Sequence, residues 1–271
     1  MRSVVPDEEK LPVVVGIDGV PAELEIVDIA AVEAERRGVP LEVVHAWPGR
    51  HGVAQRRKAG RLDPEEDRHL VEFAALRATN THPNLRVHTE LVDDSAAETL
   101  IERSRHAGLL VIRHRDESGL GHGWGSTAAY LAHHSACPLM VYRGPSPARG
   151  PVVAAASGRH TATVDYAYQA ATRTGCPLVL VHVSEPGEPA DPLADLAGIR
   201  SGVPVERLLI SEAETAYTAE RASRRGRLLV AGRGHKGWLV ELLYSVTNAT
   251  SGGRRLCPVL LVPPGWPVEQ C

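Results

Sequence analysis

Phe73 is the only phenylalanine among 271 residues, and aromatic side chains make up 4% of the chain. Stacking platforms for single-stranded nucleic acid are therefore scarce, and any core has to be built from Val, Leu, Ile and Ala. The four cysteines, Cys137, Cys176, Cys257 and Cys271, lie far apart and form no CxxC pair. Nothing in that spacing reads as a disulfide framework or a zinc ribbon, and a reduced cytoplasmic protein is the expectation. Basic charge is not in excess either. The formal net charge is -3, so no global field draws nucleic acid to the surface. No apolar run approaches the roughly 18–20 residues that span a bilayer, so no membrane contact is expected. The opening residues MRSVVPDEEK hold no apolar segment, and no signal peptide is expected. His114, His122, His133 and His134 match no metal spacing such as HExxH, and no metal is expected. No GxSxG elbow surrounds Ser126 or Ser245, no Walker lysine motif is present, and no acid–base or nucleophile set stands out, so no catalytic residue is assigned.

What is present is an ordinary globular balance, 43% apolar and 23% charged. Leu11 to Asp18 reads LPVVVGID, a continuous apolar run that suits a strand buried on both faces. Pro21 to Arg37 has helical spacing, and Gly38 closes it. LEVVHA at Leu41–Ala46 is a second strand, and 47–61 a polar loop. A helix follows from Pro64 to about Thr79, its apolar side read as Leu70, Val71, Phe73, Ala74 and Leu76. Leu85–Val92 is a strand, and Asp94 or Ser95 caps the next helix. Leu109–Ile112 is a strand, Gly119–Gly125 a glycine-rich stretch, and Pro138–Tyr142 a fifth strand after a helix from Ser126. The alternation βαβαβαβαβ means a parallel sheet covered by helices.

GPSPARG at Gly144–Gly150 is a linker by composition, after which the pattern restarts. Strands are expected at Pro151–Ala156, Leu178–Val183, Val205–Ile210, Leu228–Ala231 and Pro258–Val262, with helices at Thr161–Thr174 and Ala213–Arg224. LVLVHV mirrors LEVVHA, with His182 in the place of His45, and Cys137-Pro138 recurs as Cys257-Pro258. Landmarks in the same order twice mark a duplication. The second copy is shorter, with only Asp191–Arg200 where the first has its long second helix.

VVVGIDG, VVHAW, LLVIR, the glycine stretch and GST…HHSACPLMVYR, followed by LVLVHV, LLVAGRGHKG, YSVTNA and CPVLLV, resemble the universal stress protein family in its tandem two-domain form. The resemblance covers 11–143 and 151–263. It implies an α/β fold of two tandem doubly wound five-stranded parallel sheets, strand order 3-2-1-4-5, with the two final strands pairing. It also implies an ATP site with an acid at the end of the first strand and a loop G-x-x-G-x9-G-[ST] after the fourth. Glycines in such a loop let backbone amides approach phosphates, and the acid bonds ribose hydroxyls.

The first copy keeps Gly16 and Asp18 at the strand exit, Ala46 where a backbone reads adenine, and Gly125, Ser126 and Thr127 at the loop's end. Arg113 and Asp116 replace the two leading glycines. In the second copy Ser157 replaces the acid and Tyr244 the glycine before Ser245. There, ungapped spacing puts Ala231 at the first glycine and keeps Gly234, whereas a one-residue deletion makes Gly232 the first. The expectation is a stress-response regulatory or binding protein with degenerate nucleotide sites, ATP binding being weak or absent. Alternatives are an ATP switch or slow ATPase using the first domain, and a protein-interaction scaffold. Expected partners are a second copy, through a domain interface or as a homodimer, or an unidentified protein.

Overall fold

The computed structural model of the chain describes residues 11–18, 24–46, 64–114, 126–143, 150–155, 161–184, 202–233 and 256–267. By contacts the chain divides into two compact units. One is Met1–Arg113 with Ser135–Cys137, and the other is His114–His134 with Pro138–Cys271.

In the first unit, β1 (Val13–Ile17), β2 (Leu41–Ala46), β3 (Val87–Val92) and β4 (Leu109–Arg113) form a parallel sheet in the order β3-β2-β1-β4. Val13, Val14 and Val15 are inaccessible to solvent or nearly so, as a strand covered on both faces requires. Helix α1 (Leu24–Arg37) buries Leu24, Ile26, Val27, Ala30, Ala31 and Ala34. It stops at Gly38, whose φ of 64° is the left-handed C-terminal stop that glycine adopts without strain. Helix α2 (Pro64–Thr81) is tied to α1 by a two-pronged Arg77–Asp28 pair at 2.8 and 2.6 Å, and His82 lies 2.9 Å from Glu35. Hydrogen bonding to Asp28 raises the Arg77 pKa, desolvation opposes it, and the charges of Asp28 and Glu25 add smaller upward pulls. Helix α3 (Ala96–Ser104) is capped by Ser95, whose hydroxyl accepts from the Glu98 amide at 3.2 Å.

One expectation fails on α2. Phe73 and Leu76 are 55% and 59% exposed, while Val71, Ala74 and Ala78 are buried. The inward stripe is one of small residues, which lets α2 approach the sheet closely. At 3.6 residues per turn, positions 73 and 76 lie about 140–160° around the helix from Val71.

The second unit holds α4 (Ser126–His134), β5 (Leu139–Tyr142), β6 (Val152–Ala155), α5 (Thr161–Thr174), β7 (Leu178–Val183) and β8 (Val205–Ile210). A short 3-10 turn (Glu212–Glu214), α6 (Thr215–Arg225), β9 (Leu228–Gly232) and β10 (Val259–Val262) complete it. Strands β6 to β10 are parallel and run β8-β7-β6-β9-β10, so the order 3-2-1-4-5 is complete in the second repeat. β5, the last strand of the first repeat, pairs antiparallel with β10, Val141 opposite Val259 and Leu139 opposite Leu261. The expected pairing of the two final strands is therefore present, and it covers two edges of four fully buried residues each. Cys137 and Cys257, each opening the approach to one of these strands, are buried free thiols. Among the described residues no helix is long and apolar enough to cross a membrane.

Candidate functional site

The registers put the two repeats in correspondence residue by residue. Val13 lies opposite Leu41 and Leu109, and Val152 opposite Leu178 and Leu228. Asp18 therefore corresponds to Ser157, His45 to His182, and Arg113 to Gly232. The strand ends bear on the alternative left open by spacing. Gly232 closes β9 as Arg113 closes β4, so the loop's leading position falls on Gly232 and not on Ala231.

In the first unit the sheet brings Gly16, Asp18 and Ala46 to one edge. Ile17 lies opposite His45 in register, so Asp18 and Ala46 are the next residues out on neighbouring strands. Both are half-buried. β4 flanks β1 on the other side and ends at Arg113, whose side chain is exposed. The Arg113 cation is thus carried to the edge where a glycine would leave only backbone. A carboxylate, an accessible strand-end backbone and a cation at the C-terminal edge of a parallel sheet can receive a polyhydroxylated, negatively charged ligand.

Gly16 has a packing reason to be glycine. A Cβ there would meet Leu100 Cδ1 at 2.8 Å and Cδ2 at 3.2 Å, so the α3 leucine occupies the space a side chain would need. Ser126 and Thr127 open α4 in the second unit, Thr127 half-buried. Gly125, Asp116, Ser157, Gly234, Tyr244 and Ser245 lie outside the described residues. In the second repeat the described part of the corresponding edge carries Val183, where the first has Ala46, and a buried Gly232.

Two clusters were not foreseen. The first is His45, buried in β2, whose Nδ1 is 2.7 Å from the Ile17 carbonyl oxygen and whose Nε2 is 3.3 Å from Asp67 Oδ1 of α2. The repeated VHA/VHV pattern marked the histidine, but nothing local marked Asp67. The second is Arg143, at the end of β5. Its Nε donates to the Cys257 carbonyl at 2.9 Å and its Nη2 to Ser223 Oγ at 3.1 Å, with Cys257 Sγ 4.0 Å away. Burial lowers the Arg143 pKa, against the pull of the neighbouring sulfur. Burial likewise pushes the Cys257 thiol up, and the Arg143 charge only partly offsets it. Among the described residues no group of three or more His, Cys, Asp or Glu is placed to hold a metal.

Known proteins agree with this architecture. Residues 11–143 match the model of the universal stress protein family. A universal stress protein of Mycolicibacterium smegmatis is 29% identical over 288 residues, covering 93% of this chain and 97% of the relative. One from Mycobacterium tuberculosis strain H37Rv is 33% identical over 150 residues, 52% of this chain and 48% of the relative. That match spans about half the relative's length. The crystal structure of a universal stress protein from Archaeoglobus fulgidus superposes with a TM-score of 0.63 at 16% identity, covering 94% of this chain and 97% of the other. At that identity the likeness concerns the fold.

Proposed function

The chain belongs to the universal stress protein family, whose members are stress-response proteins, and from that premise we propose that it is a cytoplasmic regulatory binding protein in which the first repeat alone keeps a working part of a nucleotide site. The observation that carries this reading is the placement of Asp18 beside Ala46 at the C-terminal edge of β1 and β2. A carboxylate there accepts from ribose hydroxyls, and the strand-end backbone beside it suits an adenine. Gly125, Ser126 and Thr127 carry the phosphate part of the reading from sequence alone. In the second repeat Ser157 stands at the acid's position, which replaces the charged, two-oxygen ribose acceptor with a single neutral hydroxyl.

The functional repeats in this reading are 11–143 and 151–263. The partner is a second copy of the chain or another protein, with neither nucleic acid nor membrane involved. No catalytic step is assigned.

Calorimetric titration with ATP, ADP and AMP tests the proposal. The parent is expected to bind ATP weakly. Asp18→Ala is expected to cost about 1–3 kcal/mol, the scale of hydrogen bonds to a charged group. Binding that survives Asp18→Ala unchanged would overturn the assignment. No binding by the parent at millimolar ATP would remove the nucleotide from the reading. Steady phosphate release from ATP, lost in Asp18→Ala, would mark a slow ATPase instead.

A further inference from the structure

We propose that His45 is the positioning residue of the first repeat's site, a brace that fixes the exit of β1, and with it Asp18, against α2. A carbonyl oxygen only accepts, so the proton that joins His45 to Ile17 resides on Nδ1 and is donated across 2.7 Å. The Ile17 carbonyl belongs to the same planar peptide as the Asp18 nitrogen and Cα. Fixing that oxygen therefore fixes the plane from which the Asp18 side chain departs. The β1–β4 register ends at Val15 and Val111, and the β1–β2 register at Ile17 and His45. On its far side the ring faces Asp67 Oδ1 at 3.3 Å, in the first turn of α2. The brace thus joins a strand exit to a helix that the sequence connects to β2 only through 47–63.

The duplication repeats the histidine but not the long helix. His182 is buried at the corresponding position of β7. The long helix that supplies Asp67 has only Asp191–Arg200 as its sequence counterpart. The carboxylate of the proposed site and the helix that holds its brace are therefore features of the same repeat.

The consequence for ligand binding rests on the nucleotide reading of Asp18, whereas the brace itself is read at the backbone. Amide hydrogen exchange by NMR is measured on the full chain with His45→Leu, His45→Asn, His45→Gln and Asp67→Asn, and each variant is titrated with ATP. Asparagine places its Nδ2 where histidine has Nδ1. Glutamine reaches only the position of Nε2. His45→Leu is expected to speed exchange at Ile17 and Asp18 about tenfold relative to Val13–Val15, the scale of one lost hydrogen bond. His45→Asn should restore most of the protection and His45→Gln little, with ATP affinity following the same order. Asp67→Asn, whose amide can accept from a protonated Nε2 or donate to a bare one, should have the smallest effect. Unchanged exchange in His45→Leu, or equal rescue by asparagine and glutamine, would show that the ring merely fills space and would overturn the proposal. If His45→Leu fails to fold, the asparagine–glutamine pair still decides. If exchange follows the expected order and the parent binds no ATP, the brace stands and the nucleotide reading falls. If ATP binds through Asp18 and no His45 variant moves exchange or affinity, the reverse holds.

Discussion

The two repeats solve the same packing problem with different side chains. At the exit of the first strand, the first repeat has Gly16 facing Leu100 of α3. The corresponding residues of the second are Ala155 on β6 and Ala219 on α6, both buried. Helices α3 and α6 start at corresponding positions, Ala96 and Thr215, and carry Ser104 and Ser223 in step, so the correspondence holds along the helix. One repeat puts its volume on the helix and leaves the strand bare. The other divides it. Gly16 is thus a glycine whose space is filled from within, as well as a residue beside the candidate site.

The comparison breaks or holds on a double-mutant cycle. Leu100→Ala should cost about 2–5 kcal/mol, because it removes a buried leucine and leaves a cavity. Gly16→Ala alone should cost about 1–3 kcal/mol, since the new Cβ meets side-chain carbon at 2.8 Å. The double variant rebuilds the alanine pair of the second repeat and should be more stable than the sum by at least about 0.5 kcal/mol. Additive losses in urea unfolding would show that the two positions do not compensate.

The sequence is a good guide where burial follows a simple period. Val13–Ile17, Thr161–Thr174 and Leu178–Val183 form the expected elements because continuous apolar runs and helical stripes are local patterns. It misleads at Phe73 and Leu76, where apolar character alone assigned a face that small residues take. At the site, Asp18 and Ala46 are legible through the family resemblance, and the β1–β2 register brings them side by side. The His45–Asp67 contact is not, because 22 residues of chain separate a strand residue from a helix residue and no period encodes their meeting. Matching Arg113 to Gly232 rather than to Ala231 needed the β1–β4 and β6–β9 registers and the strand ends, because one inserted or deleted residue in a loop leaves composition unchanged.

A second contrast lies where β5 meets β10. Arg143 follows β5, and Pro263 follows β10 at the corresponding place. Only the first can donate hydrogen bonds, and it reaches the Cys257 carbonyl and Ser223 Oγ. Arg143→Met keeps an aliphatic stem and removes both donors. It should destabilise by about 1–3 kcal/mol, most of it from buried acceptors left without a donor. A loss below about 0.5 kcal/mol would mean that the antiparallel strand pairing alone holds this corner.

The smallest expected effect separates the two buried cysteines. Cys137 has Ser135 Oγ 3.7 Å away, whereas Cys257 has the Arg143 guanidinium near its sulfur. Burial nevertheless dominates at Cys257 and raises its thiol above the ordinary range. A raised value in the folded protein means that folding favours the protonated thiol. Its contribution is then fully present below the unfolded thiol's value, about 8.5, and is lost as pH rises through the folded one. The parent should therefore lose stability relative to Cys257→Ala as pH climbs from 7 to 9, by at most about 1 kcal/mol at pH 9. Urea unfolding of both proteins at matched pH isolates this group from every other one that titrates there. In Arg143→Met the thiol loses the charge that eased its ionisation, and native-state alkylation of Cys257 at pH 9 should slow further. A gap between parent and Cys257→Ala that stays constant with pH would show that the thiol ionises as readily in the fold as out of it, and that the cation beside it fully offsets its burial.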